Sequence, residues 1–197
     1  MLKKSWKYYL PLLIFAVIFA FFWRGLSLNP HALPSVLINK PAPDFRLPTL
    51  LTAHVYKDQR IFSKNVTLLN VWASWCDTCA EEQAFLLTLK TRYPHLQLVG
   101  LDFQDQPKKA RLWLNAHGNP YHLVLNDEKG VVGVDYGVYG TPESFLIDAQ
   151  GVILAKVTGV LNEKAWQEQM ARYILLSAPT RGKPALVQIK GGRDSPP

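Results

Sequence analysis

A buried strand that leads into two closely spaced cysteines is the feature that most restricts how this chain can fold. Val66 to Trp72 (VTLLNVW) is a continuous apolar run of strand length, which is typical of a central strand covered on both faces. Cys76 and Cys79 follow after three intervening residues, and Ala80 to Arg92 has the pattern of a helix. We therefore expect both cysteines to lie where a buried strand ends and a helix begins.

The rest of the chain predicts a sheet with strands of both directions. In order, the patterns indicate a strand over Leu96 to Phe103, a helix over Pro107 to His117, a short strand over Tyr121 to Leu125, paired strands over Ser144 to Ile147 and Val152 to Val157, and a last helix capped by Asn162. Strands and helices alternate first, and an antiparallel pair follows. This order predicts an α/β fold with a mixed central sheet flanked by helices.

The N-terminal residues have the composition of a membrane anchor. Tyr8 to Trp23 is a run of sixteen residues without a charge, which as a helix covers roughly 24 Å of the roughly 30 Å hydrocarbon layer. Three lysines precede the run and only Arg24 follows it, so the positive-inside rule predicts a single-pass helix with a cytoplasmic N-terminus. The alternative is a cleaved signal peptide, which Arg24 disfavours because small residues are usual at a cleavage site.

The net charge of +7 is concentrated at the two ends of the chain. Residues 1–24 carry +4 and residues 179–197 carry +3, whereas residues 25–178 hold 14 basic and 14 acidic side chains. A nucleic-acid-binding protein needs its basic residues on the folded domain, so this class of protein is disfavoured. We expect a cytoplasmic stub and anchor over residues 1–24, a tether over 25–40, one folded domain over 41–177 and a flexible basic tail over 178–197.

The position of the cysteine pair favours disulfide exchange. At a helix N-terminus the free N–H groups and the helix dipole stabilise a thiolate, so we expect Cys76 to be the attacking sulfur. Cys79 lies one turn further and is placed to attack the mixed disulfide that results. A structural disulfide is one alternative, although so short a loop stabilises a fold only weakly. Half of a metal site is another, although no histidines with ligand spacing accompany the pair.

Two segments outside the pair also carry candidate residues. Thr141 and Pro142 precede a strand, where a cis bond would present the backbone of Thr141 to an extended peptide and a trans bond would form an ordinary turn. Glu82 follows Cys79 by three residues and is either a surface acid near the helix start or a buried acid beneath the pair. In the buried case its pKa would be raised and it could accept the proton of Cys79. Glu143 is a second candidate acid, brought near the pair by the proline segment.

The strings Asn70-Val-Trp-Ala-Ser-Trp75 before the cysteines and Gly137-Val-Tyr-Gly-x-Pro-Glu143 at the proline occur together. With NKPAPDFRLPTL and LVGLDFQD, they make residues 36–175 and the anchor resemble the membrane-anchored thioredoxin-like proteins of cytochrome c maturation, the CcmG/DsbE type. The resemblance implies a thioredoxin fold with an N-terminal β-hairpin and a central insert. It also implies a bacterial inner-membrane location, with the catalytic domain in the periplasm.

The resemblance implies a reductive role for this chain. A protein of this type reduces the disulfide in the Cys-x-x-Cys-His segment of an apocytochrome c, and a DsbD/CcdA-type membrane reductase then re-reduces it. By position, Cys76 is the attacking and Cys79 the resolving thiol, Pro142 is the cis-proline, and Glu82 and Glu143 match the acids near the site. We also expect Trp75 and Thr141 to contact the substrate. We expect a monomer that needs no metal or other cofactor.

The chain departs from the family pattern directly after the first cysteine, where Asp77 replaces the usual proline. An anion beside Cys76 opposes ionisation of the thiol and would make the couple more reducing, unless Asp77 points into solvent and has little effect. Three other functions remain open: a general extracytoplasmic disulfide reductase, a non-enzymatic module that holds apocytochrome, and a thioredoxin-like copper carrier.

Overall fold

A five-stranded mixed sheet forms the centre of the protein. The computed structural model describes residues 6–26, 36–52 and 54–177. Strands β3 (Thr67–Trp72), β4 (Gln97–Phe103) and β5 (Leu123–Asp127) run parallel, and β6 (Glu143–Ile147) and β7 (Ile153–Thr158) are antiparallel to their neighbours. The strand order is β5-β4-β3-β6-β7. The mixed α/β sheet and the thioredoxin-like fold expected from the sequence are confirmed.

Helices and a separate hairpin surround this sheet. The helices are α1 (Trp6–Leu26), α2 (Asp77–Arg92), α3 (Pro107–His117), α4 (Val131–Asp135), α5 (Glu163–Gln169) and α6 (Ala171–Ser177), with a 3₁₀ turn over Gln59–Phe62. Strands β1 (Arg46–Pro48) and β2 (Tyr56–Asp58) pair antiparallel as the expected N-terminal hairpin. Helix α3 leads into β5, which pairs parallel with β4 at one edge of the five-stranded sheet. The central insert that the resemblance implies stays a prediction.

Strand β3 is the middle strand, and every residue in it is buried. Its alternate side chains face two apolar layers. Leu68 and Trp72 pack with residues of α2, α3 and α5 on one face, whereas Leu69 and Val71 pack with α4 and the N-terminal segment on the other. Cover on both faces explains why the strand is apolar throughout instead of alternating.

Helix α2 begins earlier than the sequence pattern predicted. The helix starts at Asp77 and not at Ala80. Cys76 has extended backbone angles and its sulfur accepts a hydrogen bond from the backbone N–H of Cys79 at 3.1 Å. A side chain that accepts from the third residue of the helix is the usual form of an N-cap. The first cysteine therefore caps the helix, and the second lies within its first turn.

Two other predicted boundaries differ from the structure. The short strand expected over Tyr121 to Leu125 is β5, which begins at Leu123 because its parallel pairing with β4 runs from Val99↔Leu123 to Phe103↔Asp127. The last helix begins after Asn162, whose side chain accepts from Ala165 N, as expected for a cap. It is divided into α5 and α6 at Met170.

The predicted membrane anchor is not confirmed. Helix α1 covers this region and contains Pro11, and its apolar side chains from Tyr9 to Trp23 are exposed. Among the residues that the structure describes, no helix has both the length and the apolar character needed to cross a bilayer. Most of the expected tether, and all of the expected tail over residues 178–197, lie outside the described residues.

Candidate functional site

Cys76 and Cys79 form a disulfide at the first turn of α2. Their Cα atoms are 5.4 Å apart and their sulfurs are joined at 2.08 Å. Cys76 is 5% exposed and Cys79 only 1%, so the first sulfur is the one that a partner reaches more easily. The N–H of Cys79 already points at Sγ of Cys76 at 3.1 Å. After reduction the same donor stabilises a Cys76 thiolate, which lowers the cost of its ionisation.

Two hydrogen bonds from the segment before Cys76 hold it against the loop that follows β4. The backbone N–H of Ser74 donates to the carboxylate of Asp105 at 2.6 Å. The indole Nε1 of Trp75 donates to the carbonyl of Gln104 at 3.1 Å, while the side chain stays half exposed at 54%. Trp75 therefore presents a fixed aromatic surface next to the disulfide, which suits the substrate contact predicted for it. Its role in binding stays a prediction.

The bond between Thr141 and Pro142 is cis. Val71 pairs with Glu143 in the ladder between β3 and β6, so Pro142 lies beside the end of β3, at the same edge of the sheet as the cysteine pair. The carbonyl of Pro142 accepts a hydrogen bond from Gly159 N at 2.9 Å. The predicted role of Thr141 and Pro142, to bind the backbone of a peptide, is not tested by this geometry.

Glu82 is buried beneath the first turns of α2. Only 1% of the residue is exposed, and its carboxylate accepts hydrogen bonds from Asn70 Nδ2 at 2.8 Å and from Leu161 N at 2.7 Å. Burial raises the pKa of Glu82 to about 7, against the opposing effect of the two donors. Of the two alternatives for Glu82, a surface acid and a buried acid, the structure shows the buried one. The carboxyl can gain or lose a proton near neutral pH.

A polar network that the sequence analysis missed extends from Glu82 into the core. Asn70 on β3 also donates to Ser144 Oγ at 3.0 Å, and its Oδ1 accepts from the hydroxyl of Tyr121 at 2.6 Å. All four side chains are buried. The signal in the sequence was a single asparagine inside an otherwise apolar strand, because a buried amide needs partners.

Glu143 faces the opposite side of the sheet from Glu82. Neighbouring residues of a strand point to opposite faces, and Ser144 is the one that joins the network of Glu82 and Asn70. Glu143 is fully buried; its Oε2 lies 2.8 Å from Nζ of Lys156, and its Oε1 accepts from Tyr139 N at 3.3 Å. The sequence placed this acid near the cysteine pair, but its contacts are with Lys156 and with the segment before Pro142.

Asp102 is a second buried acid that the sequence analysis missed. It is the partner of Trp72 in the ladder between β3 and β4 and is completely buried. Within the described part of the chain, neither carboxyl oxygen has a hydrogen-bond partner. Burial, followed by the nearby Asp105 carboxylate, raises the pKa of Asp102 to about 8. The group is therefore mostly protonated at neutral pH.

Asp77 is exposed in the first turn of α2. Its predicted effect on the thiol of Cys76 is not tested by this position and stays a prediction. Within residues 6–26, 36–52 and 54–177, no group of three or more His, Cys, Asp or Glu side chains converges in a way that could hold a metal ion.

Comparison with known proteins identifies the family of the chain. Residues 37–175 match the family model described as Redoxin. The chain is 43% identical over 168 residues to the thiol:disulfide interchange protein DsbE of Vibrio cholerae, covering 83% of this chain and 90% of that protein. It is 41% identical over 162 residues to the DsbE protein of Pseudomonas aeruginosa, covering 82% and 89%.

Solved structures share the fold. A Chlorobium tepidum chain, described as a candidate thiol:disulfide interchange protein DsbE, superposes with a TM-score of 0.60 at 27% identity and covers 71% of this chain and 96% of that one. A thiol-disulfide oxidoreductase of Bacteroides fragilis superposes with a TM-score of 0.57 at 24% identity, covering 66% and 96%. With a Cys-x-x-Cys disulfide at the start of α2 and these relatives, the chain belongs to the redoxin family, as a thioredoxin-like thiol:disulfide oxidoreductase of the DsbE type.

Proposed function

We propose that this oxidoreductase works as a reductant and that its client is the disulfide of an apocytochrome c Cys-x-x-Cys-His segment. The observation that carries disulfide exchange is the hydrogen bond from Cys79 N to the sulfur of the more exposed Cys76, since the thiolate is the attacking species in exchange. The reductive direction follows from the family resemblance in the sequence. The names of the relatives support thiol:disulfide interchange. The choice of client follows from the family resemblance in the sequence.

The reaction consists of two exchanges of sulfur bonds. The Cys76 thiolate attacks one sulfur of the client disulfide, and the other client sulfur leaves as a thiolate that takes up a proton. Cys79 loses its proton and attacks Sγ of Cys76, and the second client thiol is released. The client gains two electrons and two protons, and the chain ends with the Cys76–Cys79 disulfide that the structure contains.

Glu82 is the proposed acceptor of the Cys79 proton. It follows Cys79 by three residues on α2, a spacing that brings side chains within about 5–6 Å between Cβ atoms. Its carboxyl is buried and has a pKa of about 7, which matches the requirement that a general base should titrate near the working pH. Glu143, which contacts Lys156, is assigned no proton transfer in this scheme.

Replacing Glu82 with glutamine is expected to slow the resolution step by roughly 10²-fold, because general base catalysis contributes about that much. The measurement is the pH dependence of the rate at which a preformed mixed disulfide at Cys76 resolves. The wild-type profile should show an inflection near pH 7 that Glu82→Gln lacks. Glu81→Gln, at an exposed position in the same helix, is the matched control and should keep the wild-type profile. An inflection that survives in Glu82→Gln would rule out this assignment.

The proposed direction of electron flow has a direct test. We expect an equilibrium reduction potential well below about −180 mV in a glutathione or dithiothreitol buffer, and net reduction of an oxidised Cys-x-x-Cys-His peptide. A control peptide with the same disulfide loop and no haem-site sequence measures client preference. A potential near about −120 mV would mean an oxidant, and equal rates with both peptides would favour a general extracytoplasmic reductase.

The proposed electron donor is a membrane reductase of the DsbD/CcdA type, which would reduce the Cys76–Cys79 disulfide after each cycle. We also propose a periplasmic location for the domain, with attachment to the inner membrane through the N-terminal segment. The support is the excess of lysine before the apolar run and the exposed apolar side chains of α1.

A further inference from the structure

A basic cleft of about 550 Å³ opens at the end of the sheet where the three parallel strands begin. Asn65 lies shortly before β3, and Gln97 and Leu123 are the first residues of β4 and β5. All three line the cleft, together with Lys57 from the hairpin and Lys64 from the turn before β3. The cleft therefore lies between the N-terminal hairpin and the starting edge of the sheet.

The charged side chains around this cleft are mainly cationic. Among the described residues that line it, Lys57, Arg60 and Lys64 are basic and only Asp58 is acidic, so its net charge is +2. The carboxylate of Asp58 is bound by the guanidinium of Arg60 at 2.6 Å. Both lysines are exposed, and in the described part of the chain neither forms an ion pair. Their charges are therefore available to an anion.

The N-terminal segment enters the folded domain at this same end of the sheet. The N–H of Asn39 donates to the carbonyl of Ile153, at the start of β7, at 2.8 Å. Cross-strand pairing continues from this residue along the edge of the sheet, through Ile153, Ile147, Thr67 and Gln97. The last of these residues lines the cleft. The segment that follows α1 and the cleft therefore lie along one edge.

The disulfide lies at the opposite end of the sheet. Strand β3 begins at this edge, has six residues and leads towards Cys76, so it separates the two ends by about 20 Å. Nine residues join Leu26, the end of α1, to Val36, and a connection of this length spans at most about 36 Å. A surface that holds α1 is thus within reach of the cleft, whereas the disulfide faces away from it.

We propose that the basic cleft docks on the phosphate groups of an anionic lipid bilayer and thereby holds the domain with its disulfide directed away from that bilayer. This inference rests on the membrane attachment proposed above. It does not depend on the client or on the direction of electron flow.

The chemistry of the cleft matches a phosphate group at a membrane surface. The ammonium groups of Lys57 and Lys64 supply the positive charge, and the side-chain amides of Asn65 and Gln97 are able to donate to phosphate oxygens. Each lysine near an anionic bilayer favours the docked state by about 5-fold. Attachment through α1 keeps headgroup phosphates at a high effective concentration beside the cleft, which favours them over phosphate free in solution.

The test uses the full chain bound to vesicles of phosphatidylcholine alone or of equal parts of phosphatidylcholine and phosphatidylglycerol. A water-soluble acylating reagent modifies exposed lysines, and mass spectrometry of peptides gives the rate at each position. Acylation of Lys57 and Lys64 should be at least about 5-fold slower on the anionic vesicles at low salt. This protection should disappear in 1 M NaCl, where charges are screened beyond about 3 Å.

Charge reversal at one lysine is expected to remove the protection of the other. Lys57→Glu should restore the acylation rate of Lys64, and Lys64→Glu should restore that of Lys57, because either change brings the net charge of the cleft to zero. Lys108→Glu is the matched control, since it reverses an exposed lysine in the first turn of α3, after the opposite end of β4. It should leave both cleft lysines protected. Lys109, exposed in the same turn, should react equally on both kinds of vesicle.

Four outcomes would overturn the proposal. They are equal acylation of Lys57 and Lys64 on the two kinds of vesicle, protection that survives both reversals, equal protection of Lys109, and protection by inorganic phosphate on phosphatidylcholine vesicles. The last would assign the cleft to a soluble anion. Flotation of the vesicles separates this inference from membrane attachment itself. A chain that floats with phosphatidylcholine but shows no protection on anionic vesicles contradicts the docking alone, whereas a chain that floats with neither contradicts both.

Discussion

Cys79→Ser is expected to stop turnover and to leave the client covalently bound at Cys76. The Cys76 thiolate can still attack a disulfide, because the donor that stabilises it is the backbone N–H of residue 79 and does not depend on the side chain. A serine hydroxyl does not displace the client from the mixed disulfide, since the thiolate is the species that carries out this exchange. The measurement is non-reducing electrophoresis and mass spectrometry of the reduced variant mixed with an oxidised peptide.

Cys76→Ser is the matched control for this experiment. It should show neither turnover nor a stable adduct, because Cys79 is 1% exposed against 5% for Cys76 and a client reaches it less easily. A covalent adduct that forms at Cys79 in this variant would reverse the assigned order of attack. If Cys79→Ser formed no covalent adduct and bound the oxidised peptide as well as the wild type does, the protein would act as a binding module without electron exchange.

Asp102→Asn is expected to stabilise the oxidised protein at alkaline pH. The folded-state pKa of Asp102 is about 8, well above its usual value of 3.8, so the folded state holds a proton that the unfolded state has released. The stabilising effect of this proton is complete below about pH 4 and is lost as the pH rises towards 8. The free energy of unfolding therefore falls with rising pH, by up to about 1.4 kcal/mol per pH unit for one proton. Glu82, with a pKa raised to about 7, adds a slope of the same sign.

Urea denaturation at pH 5 and pH 8 measures this slope. The wild type should lose stability between the two values, and Asp102→Asn should lose at least about 1.4 kcal/mol less, since an amide has no proton to release. Asp135→Asn, which changes an exposed acid at the end of α4, should retain the wild-type slope. Parallel behaviour of Asp102→Asn and wild type across this range would mean that Asp102 is ionised in the folded protein at neutral pH.

Local patterns in the sequence were sufficient to predict the frame of the site. The apolar run of β3 and the cap at Asn162 depend on residues close together in the chain, whereas the pattern placed the start of α2 at Ala80 and the structure places it at Asp77. The spacing of three residues between Cys79 and Glu82 was visible in the sequence, but only the structure decided that Glu82 is buried and not on the surface. The order of elements and the cysteine pair therefore determined the fold class and the reaction.

Only the tertiary structure decided which polar groups meet inside the protein. Glu82 contacts Asn70 and Leu161, which are 12 and 79 residues away in the chain, and Glu143 contacts Lys156 on the face of the sheet opposite Glu82. Strand register and the stacking of helices against each face set these pairs, and neither is visible in a local pattern. Among the residues that the structure describes, the same packing leaves the Asp102 carboxyl oxygens without a hydrogen-bond partner. The sequence thus determined where the two sulfurs lie. Packing between distant segments determined the protonation of the buried acids Glu82 and Asp102 and the hydrogen bonds that these segments make around the pair.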